Sequence, residues 1–245
     1  MIRRPILCVQ RSEAIRYAAQ YLAGLGLHVT FKPAPDIAHI LLPVPSFNAG
    51  YSYLPHLLAD LPDDVVVSGG FLDNPLLSGL RTVDFLKDPY YLAANAAITA
   101  SCAIRMLRDR GCSLSKGSRI LLIGWGRIGK CLCRLLDKAG AEISVAVRKD
   151  TDRAIIRALG LRSISIEDAK QELYRYDAIL NTVPVMVLPN MDVKPDAVIL
   201  ELASKPGMSG AGILDARGLP GKMAPEQSGE LIARTFIRLS LGKEL

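Results

Sequence analysis

The stretch RILLIGWGRIG at residues 119–129 decides how this chain folds. An apolar run breaks into Gly124, Gly126 and Gly129 at the point where a helix can begin. In this spacing the first glycine allows a tight turn, the second lets the backbone approach a pyrophosphate, and the third lets the helix pack closely on the strand. Phosphate binds the N–H groups at the start of such a helix. The stretch therefore predicts a dinucleotide-binding site; the alternative is a structural glycine turn.

The sequence after the glycines has the alternation that a nucleotide-binding domain requires. An apolar helix pattern follows directly, and then come five further segments with strand character: EISVAV (142–147), RSISI (162–166), DAILNT (177–182), AVILEL (197–202) and GILDA (212–216). Strands that alternate with helices form parallel sheets. Residues 112–225 are therefore predicted to form a six-stranded, Rossmann-like, doubly wound α/β domain.

The first third of the chain shows the same alternation. Strands are predicted at 6–10, 28–31, 39–45 and 65–70, and an amphipathic helix at 12–25. Residues 1–88 are thus expected to form a flavodoxin-like or Rossmann-like parallel-sheet domain that holds the substrate. An alanine-rich linker helix is predicted over 89–111, with Asp88 capping it and Pro89 at its first position. A last helix is predicted over 226–245, packing back towards the N-terminal domain.

The turn after the second strand of the nucleotide domain indicates which nucleotide binds. A carboxylate at this place accepts hydrogen bonds from the ribose 2′-OH of NAD, whereas an arginine accommodates the 2′-phosphate of NADP. This chain has Arg148 and Lys149 there, with Asp150 and Asp152 further along. We therefore expect NADP(H) in preference to NAD(H); the alternative is a solvated basic turn.

The composition places further limits on function. Of the 245 residues, 50% are hydrophobic and 22% charged, enough for one core or two small ones. No segment approaches the roughly 20 apolar residues of a membrane span, and the first residues read as a strand rather than a signal peptide. Five scattered cysteines argue for a reducing cytoplasm and against a metal site. The net charge of +6 is spread along the chain, so neither nucleic acid nor membrane is expected as a partner.

Three loops after predicted strands join the glycine stretch as candidate parts of the site. In doubly wound sheets the ligand binds outside the carboxyl ends of the strands, where NTVP (181–184), ELASKPG (201–207) and ARGLPGKMAP (216–225) lie. The alternative for each is ordinary Pro/Gly turn chemistry. The candidate cofactor contacts are Gly124, Trp125, Gly126, Arg127, Ile128, Gly129, Arg148, Lys149, Asn181, Thr182, Val183, Pro184, Leu202, Ala203, Pro220 and Gly221.

These motifs resemble those of one family, the A subunit of dipicolinate synthase. The resemblance is most specific in four segments: GWGRIGKCLCRLLDKAGAEISVAVRK (124–149), NTVP (181–184), LASKPG (202–207) and GLPGKMAPEQSGELIA (218–233). It implies NAD(P)-dependent oxidation of dihydrodipicolinate to pyridine-2,6-dicarboxylate during sporulation. It also implies that the partner is a flavoprotein-like B subunit, that the protein lies in the mother-cell cytoplasm of a spore-forming bacterium, and that its two-domain fold is similar to 2-hydroxyacid dehydrogenases. Whether the chain forms a homo-oligomer stays open.

The chain departs from the family pattern in its substrate half. The first strand leads into QRS (10–12) instead of a GGD turn, Ser101 stands where a glutamate is expected, and only MSGAG (208–212) follows LASKPG. Two alternatives to the family activity therefore stay open. One is a non-catalytic protein that binds NADP(H), and the other is a reductase acting on another small carboxylic acid.

Candidate substrate-binding residues combine loop position with the family pattern. They are Asn95 and Thr99 on the linker helix, Ser204 and Lys205 after the fifth strand, and Lys222 after the sixth. No catalytic residue is assigned, and the candidates are Lys205, Ser204 and Thr99. All three histidines (His28, His39 and His56) precede the nucleotide domain, which argues against a 2-hydroxyacid dehydrogenase of the D-specific kind, since these use a late histidine.

Overall fold

The chain folds into two compact units in a computed structural model, which describes residues 4–10, 12–47, 54–58, 62 and 64–242. One unit comprises Met1–Asn95 and Pro220–Leu245, and the other comprises Ala96–Leu219. The predicted boundaries at residues 88, 111 and 225 differ from these. The reason is that helix α3 (Pro89–Asp109) is continuous across the first division, and the chain after Leu219 packs within the first unit.

The first unit is built on a five-stranded parallel sheet with the order β2-β1-β3-β4-β5. Its strands are β1 (Ile6–Cys8), β2 (Val29–Thr30), β3 (His39–Leu41), β4 (Val66–Gly69) and β5 (Arg81–Asp84). The first four lie inside the predicted segments but are shorter. Edge strand β5 was not predicted, because RTVD has a single apolar residue and none of the four is fully buried.

Two helices pack against each other in this unit. Helix α1 (Glu13–Gly24) begins after Ser12, whose Oγ accepts a hydrogen bond from the backbone N–H of Ile15 at 3.3 Å. Helix α8 (Pro225–Ser240) approaches α1 so closely that a Cβ on Gly229 would lie 2.5 Å from the carbonyl oxygen of Ala14. Their apolar faces share a core with β1 and β3. The chain also forms two short helices, α2 (Leu54–Leu58) and α7 (Leu219–Met223).

The second unit is a six-stranded parallel sheet with the order β11-β10-β9-β6-β7-β8. Its strands are β6 (Arg119–Ile123), β7 (Glu142–Ala146), β8 (Arg162–Ile164), β9 (Ala178–Asn181), β10 (Val198–Glu201) and β11 (Ile213–Asp215). Its helices include α4 (Arg127–Ala139), α5 (Asp150–Ala158) and α6 (Ile166–Gln171). The doubly wound α/β fold predicted from the sequence is confirmed. Strand order reverses between β6 and β9, the point where such sheets bind ligands.

Three of the points made from the sequence concern the QRS segment and the last helix, the cap of helix α3, and whether any helix could span a membrane. Arg11 of the QRS segment (10–12) and residues 243–245 of the predicted last helix lie outside the described residues. Asp88 caps α3 as predicted, since its Oδ2 accepts a hydrogen bond from the N–H of Tyr91 at 2.7 Å. None of the helices within the described ranges is long and apolar enough to cross a membrane.

Candidate functional site

The turn that links β6 to α4 requires glycine at its first position. Gly124 has a φ of +100°, in the region that favours glycine, and its N–H donates to the carbonyl oxygen of Ala146 at 3.0 Å. A Cβ on Gly124 would lie 2.5 Å from Oγ1 of Thr182. The same hydroxyl donates to the carbonyl oxygen of Ile123 at 2.8 Å. The turn is therefore held against the end of β9, and a side chain at Gly124 has no room.

The other two glycines of the pattern differ sharply in their surroundings. A Cβ on Gly129 would overlap the carbonyl oxygen of Gly124, so this glycine allows α4 to pack on the turn. Around Gly126, apart from this residue and its two chain neighbours, no atom of the described residues lies within 4 Å of the position that a Cβ would occupy. Gly126 precedes α4, and no described side chain caps the helix there. The first N–H groups of α4 have no partner within the helix and are available to an anion.

A cavity of about 490 Å³ adjoins this turn. That volume is in the range of small-molecule sites. Its lining comes from the glycine turn, the end of β7, the start of α5 and α6, and the loop after β9: Gly124, Trp125, Ala146, Val147, Arg148, Lys149, Asp152, Ile166, Val183 and Val187. The Nζ of Lys130 lies 5.9 Å from the ring centroid of Trp125. Five of the predicted cofactor residues (Gly124, Trp125, Arg148, Lys149 and Val183) thus line one cavity within the second unit.

Arg148 and Lys149 are both exposed at the rim of this cavity. Of the two carboxylates that follow them, Asp150 forms an ion pair with Arg153, whereas Asp152 itself lines the cavity. The rim therefore carries more positive than negative charge. Asp152 is thus the carboxylate that lines the cavity together with these two cations.

A buried polar network joins the loops after β9 and β10, and sequence reasoning missed its central residue, Glu201. The Glu201 carboxylate is 4% exposed and accepts hydrogen bonds from Nδ2 of Asn181 (2.8 Å), the N–H of Ala203 (3.1 Å) and the N–H of Gly207 (2.8 Å). Asn181 also binds both backbone groups of Val183. Asn181 is a predicted cofactor residue, but its described contacts are buried hydrogen bonds that hold the loop after β9 in place. Register pairs Glu201 with Asn181 across β10 and β9, which places the two side chains together.

The remaining predicted residues of the second unit differ in exposure. Arg127, Pro184, Ser204 and Lys205 are exposed, Ile128 and Thr182 are half-buried, and Leu202, Ala203 and Thr99 are buried. In the first unit, Pro220 is buried, Asn95 is half-buried, and Gly221 and Lys222 are exposed. Exposed Ser204 and Lys205 follow directly on the Glu201 network, so the loop that carries them has a fixed base.

Two buried thiols, those of Cys8 and Cys133, are not activated for nucleophilic chemistry. Burial raises the pKa of Cys133, on the buried face of α4, to about 11, with Asp137 adding to the rise. In the first unit, burial raises the pKa of Cys8 to about 12. A nucleophilic cysteine needs a lowered pKa, so neither thiol fits that role. Within the described ranges, no group of His, Cys, Asp and Glu side chains has the arrangement of a metal site.

Comparison with known proteins agrees with the motif resemblance. The A subunit of dipicolinate synthase from Bacillus subtilis (strain 168) is 31% identical over 134 residues, which cover 50% of this chain and 45% of that protein. The chain therefore matches less than half the length of this curated relative. A solved structure of the A subunit of dipicolinate synthase from Bacillus halodurans matches with a TM-score of 0.79 at 20% identity, over 96% of this chain and 97% of the other. The chain is a homologue of this dipicolinate synthase protein.

More distant structures support the fold class. An L-alanine dehydrogenase matches with a TM-score of 0.62 at 11% identity, over 96% of this chain and 87% of that one. At this identity the likeness shows the fold alone, which is that of the dehydrogenases with two parallel-sheet domains. No model of a known protein family matches the chain. The resemblance expected from the glycine stretch and the later loops is confirmed.

Proposed function

We propose that this protein is an NADP(H)-dependent oxidoreductase that oxidises dihydrodipicolinate to dipicolinate during sporulation. The proposal extends to a partner, a flavoprotein-like B subunit, and to the mother-cell cytoplasm as the protein's place. The observation that carries it is the cavity at the glycine turn in a dipicolinate synthase homologue. NADP(H) is preferred because two cations, Arg148 and Lys149, meet at the rim where a 2′-phosphate lies in this fold.

The chain's own residues would bind and orient the nucleotide. The first N–H groups of α4 receive the pyrophosphate, and the open space at Gly126 lets it approach the backbone. Arg148 and Lys149 form charge-assisted hydrogen bonds with the 2′-phosphate. We propose that the nicotinamide contacts five further residues: Pro184, Leu202, Ala203, Pro220 and Gly221. When bound, the oxidised nicotinamide supplies the hydride acceptor.

The proposed reaction does not need a strong general acid or base. Loss of a hydride and a proton from a dihydropyridine dicarboxylate generates an aromatic ring, so binding and orientation of the two carboxylates is the main task. Lys205 and Lys222 are the proposed cationic partners, with Ser204, Asn95 and Thr99 as hydrogen-bond donors. This role suits the exposed Ser204 and Lys205, whose loop is anchored through Glu201. No histidine follows His56, so the nucleotide unit has no histidine that could act as a base, and the proposed reaction does not depend on one.

A second candidate function is that of a non-catalytic protein that binds NADP(H). It is favoured by the departures from the family pattern at residues 10–12, at Ser101 and at 208–212, all of which lie outside the glycine stretch (119–129) in the sequence. A reductase for another small carboxylic acid would share the same cofactor site and differ only in the substrate half.

Three measurements separate these functions: nucleotide titration, reduction of NADP⁺ and oxidation of NADPH by a keto acid. Titration with NADPH and NADH, followed by the fluorescence of the single tryptophan, Trp125, reports binding at the cavity. Reduction of NADP⁺ on addition of freshly generated dihydrodipicolinate, with and without a B subunit, reports turnover. Binding with turnover supports the synthase. Binding without turnover, in both conditions, supports the non-catalytic protein, and oxidation of NADPH by a keto acid supports the reductase.

The Arg148→Ala variant tests the cofactor preference. We expect it to weaken NADPH about tenfold and NADH much less, because a charge-assisted contact to phosphate is lost. Equal weakening of both nucleotides would show that Arg148 does not recognise the 2′-phosphate.

A further inference from the structure

A single arginine, Arg153, holds together the turn that carries the proposed 2′-phosphate contacts. Its Nη1 donates to the carbonyl oxygens of Val147 and Arg148, both at 3.2 Å, and its Nη2 pairs with the carboxylate of Asp150. One guanidinium thus binds the backbone before Lys149 and the side chain after it. The Arg153 side chain is 21% exposed, whereas that of Asp150 is 87% exposed.

The arginine is itself anchored to the sheet. The hydroxyl of Ser163, a buried residue of β8, donates to the carbonyl oxygen of Arg153 at 3.1 Å. The turn is therefore tied to a rigid strand through the first residues of α5. Arg148 and Lys149 leave the backbone at positions that Arg153 fixes.

The positive charge of Arg153 also affects the charge balance at the rim of the cavity. Residues 148–153 carry three cations (Arg148, Lys149 and Arg153) and two carboxylates (Asp150 and Asp152). Without the charge of Arg153, the Asp150 carboxylate would offset one of the two cations at the rim and would repel a phosphate. The ion pair with Arg153 compensates the negative charge of Asp150.

We propose that Arg153 is a positioning residue that sets the preference for NADPH over NADH, by holding the 147–150 turn and compensating the charge of Asp150. This inference rests on the proposed cofactor preference. The arginine does not need to contact the nucleotide, because its effect passes through Arg148, Lys149 and Asp150.

The test compares four proteins with the unaltered chain by NADPH and NADH titration. Arg153→Gln should raise the Kd of NADPH roughly fivefold and that of NADH much less. A change of about fivefold corresponds to the upper end of the range measured for one exposed ion pair. Asp150→Asn should leave NADPH affinity unchanged or raise it. The double variant, Arg153→Gln with Asp150→Asn, should regain most of the lost preference. Arg157→Gln is the matched control, since it removes the same charge from an exposed position one turn further along α5.

Salt provides the readout that a purely structural role would not move. The loss of preference in Arg153→Gln should shrink as ionic strength rises, because exposed charges are then screened. An Arg153→Gln preference equal to that of the unaltered chain, or a double variant with no recovery, would overturn the inference while leaving the proposed function standing. Equal affinity of the unaltered chain for NADPH and NADH would instead overturn the cofactor preference, and this inference with it. Asp150→Asn, at an exposed site, decides the matter if Arg153→Gln does not fold, because a fall in its NADPH affinity contradicts the proposal.

Discussion

The same substitution at two glycines of one turn should have opposite consequences. Gly126→Ala should spare the fold and abolish tight nucleotide binding, whereas Gly129→Ala should damage the fold. The difference follows from the surroundings of the two Cβ positions: open space at Gly126, and the carbonyl oxygen of Gly124 at Gly129. The pair of variants therefore separates a binding role from a packing role within three residues of the chain.

The expected losses of stability follow from the geometry. A methyl at Gly129 overlaps backbone, which costs about 3 kcal/mol, and alanine's better helix propensity returns about 1 kcal/mol. The net loss of about 2 kcal/mol lowers the melting temperature by about 4–8 °C in a chain of this size. Gly126 has an ordinary φ of −79°. There, the loss of a preferred capping residue and the stiffening of the unfolded chain offset each other to within about 0.5 kcal/mol.

Binding should follow the opposite order. The methyl at Gly126 stands between the helix N–H groups and the pyrophosphate, so at least one charge-assisted hydrogen bond is lost. A loss of about 1.5–3 kcal/mol weakens NADPH by at least about tenfold. Calorimetric titration measures this without relying on Trp125, which is next to the altered residue. Thermal unfolding measures the stability of both variants.

Gly24→Ala is the control for these experiments. Gly24 also has an open Cβ position, ends α1 in the first unit, and plays no part in the proposed site. It should change neither nucleotide affinity nor, by more than about 1 kcal/mol, stability. Full NADPH affinity in Gly126→Ala, or equal stability of Gly126→Ala and Gly129→Ala, would refute the account of this turn.

Three further predictions concern the buried network, the substrate loop and acid stability. Glu201→Ala should destabilise the second unit by about 3 kcal/mol or more in urea denaturation, because three buried donors lose their acceptor; a loss below about 1 kcal/mol would contradict the network's importance. Lys205→Met should raise the KM for dihydrodipicolinate or abolish turnover with NADPH affinity nearly intact, and unchanged kinetics would remove it from the site. Burial, with Arg4 and Arg81 adding to the effect, lowers the pKa of His39 in the folded protein. The neutral imidazole therefore contributes fully to the free energy of unfolding above about pH 6.5, and this contribution is lost as the pH falls and the unfolded chain binds the proton more readily. His39→Leu should therefore flatten the dependence of the urea midpoint on pH below about 6.5, and an unchanged acid limb would show that His39 is not its source.

Much of the second unit follows from local pattern. The spacing of Gly124, Gly126 and Gly129 between a strand and a helix predicts both the turn and its use. The first and third glycines meet steric requirements of the backbone, and the second leaves room for a pyrophosphate. The alternation of apolar strands and helices then predicts a parallel sheet. These are short-range properties, so the sequence alone suffices for them.

Other features of the site depend on pairing between distant segments. Glu201 ends an apolar strand and carries no local sign of its partners, since Asn181 and Gly207 reach it only through the β9–β10 register and the following loop. Arg153 reads as an ordinary charged residue of a helix. Only the fold of the turn shows that it binds two backbone carbonyls and an acidic side chain.

The sequence by itself therefore determined the fold class, the place of the glycine turn and the basic pair Arg148 and Lys149 that follows β7. The tertiary structure alone decided which side chains support that site, and that α8 packs on α1 through Gly229. The physical reason is that turn geometry and helix or strand periodicity are written in neighbouring residues. Buried hydrogen bonds and close helix contacts arise only when remote segments meet, and their partners cannot be identified before the chain is folded.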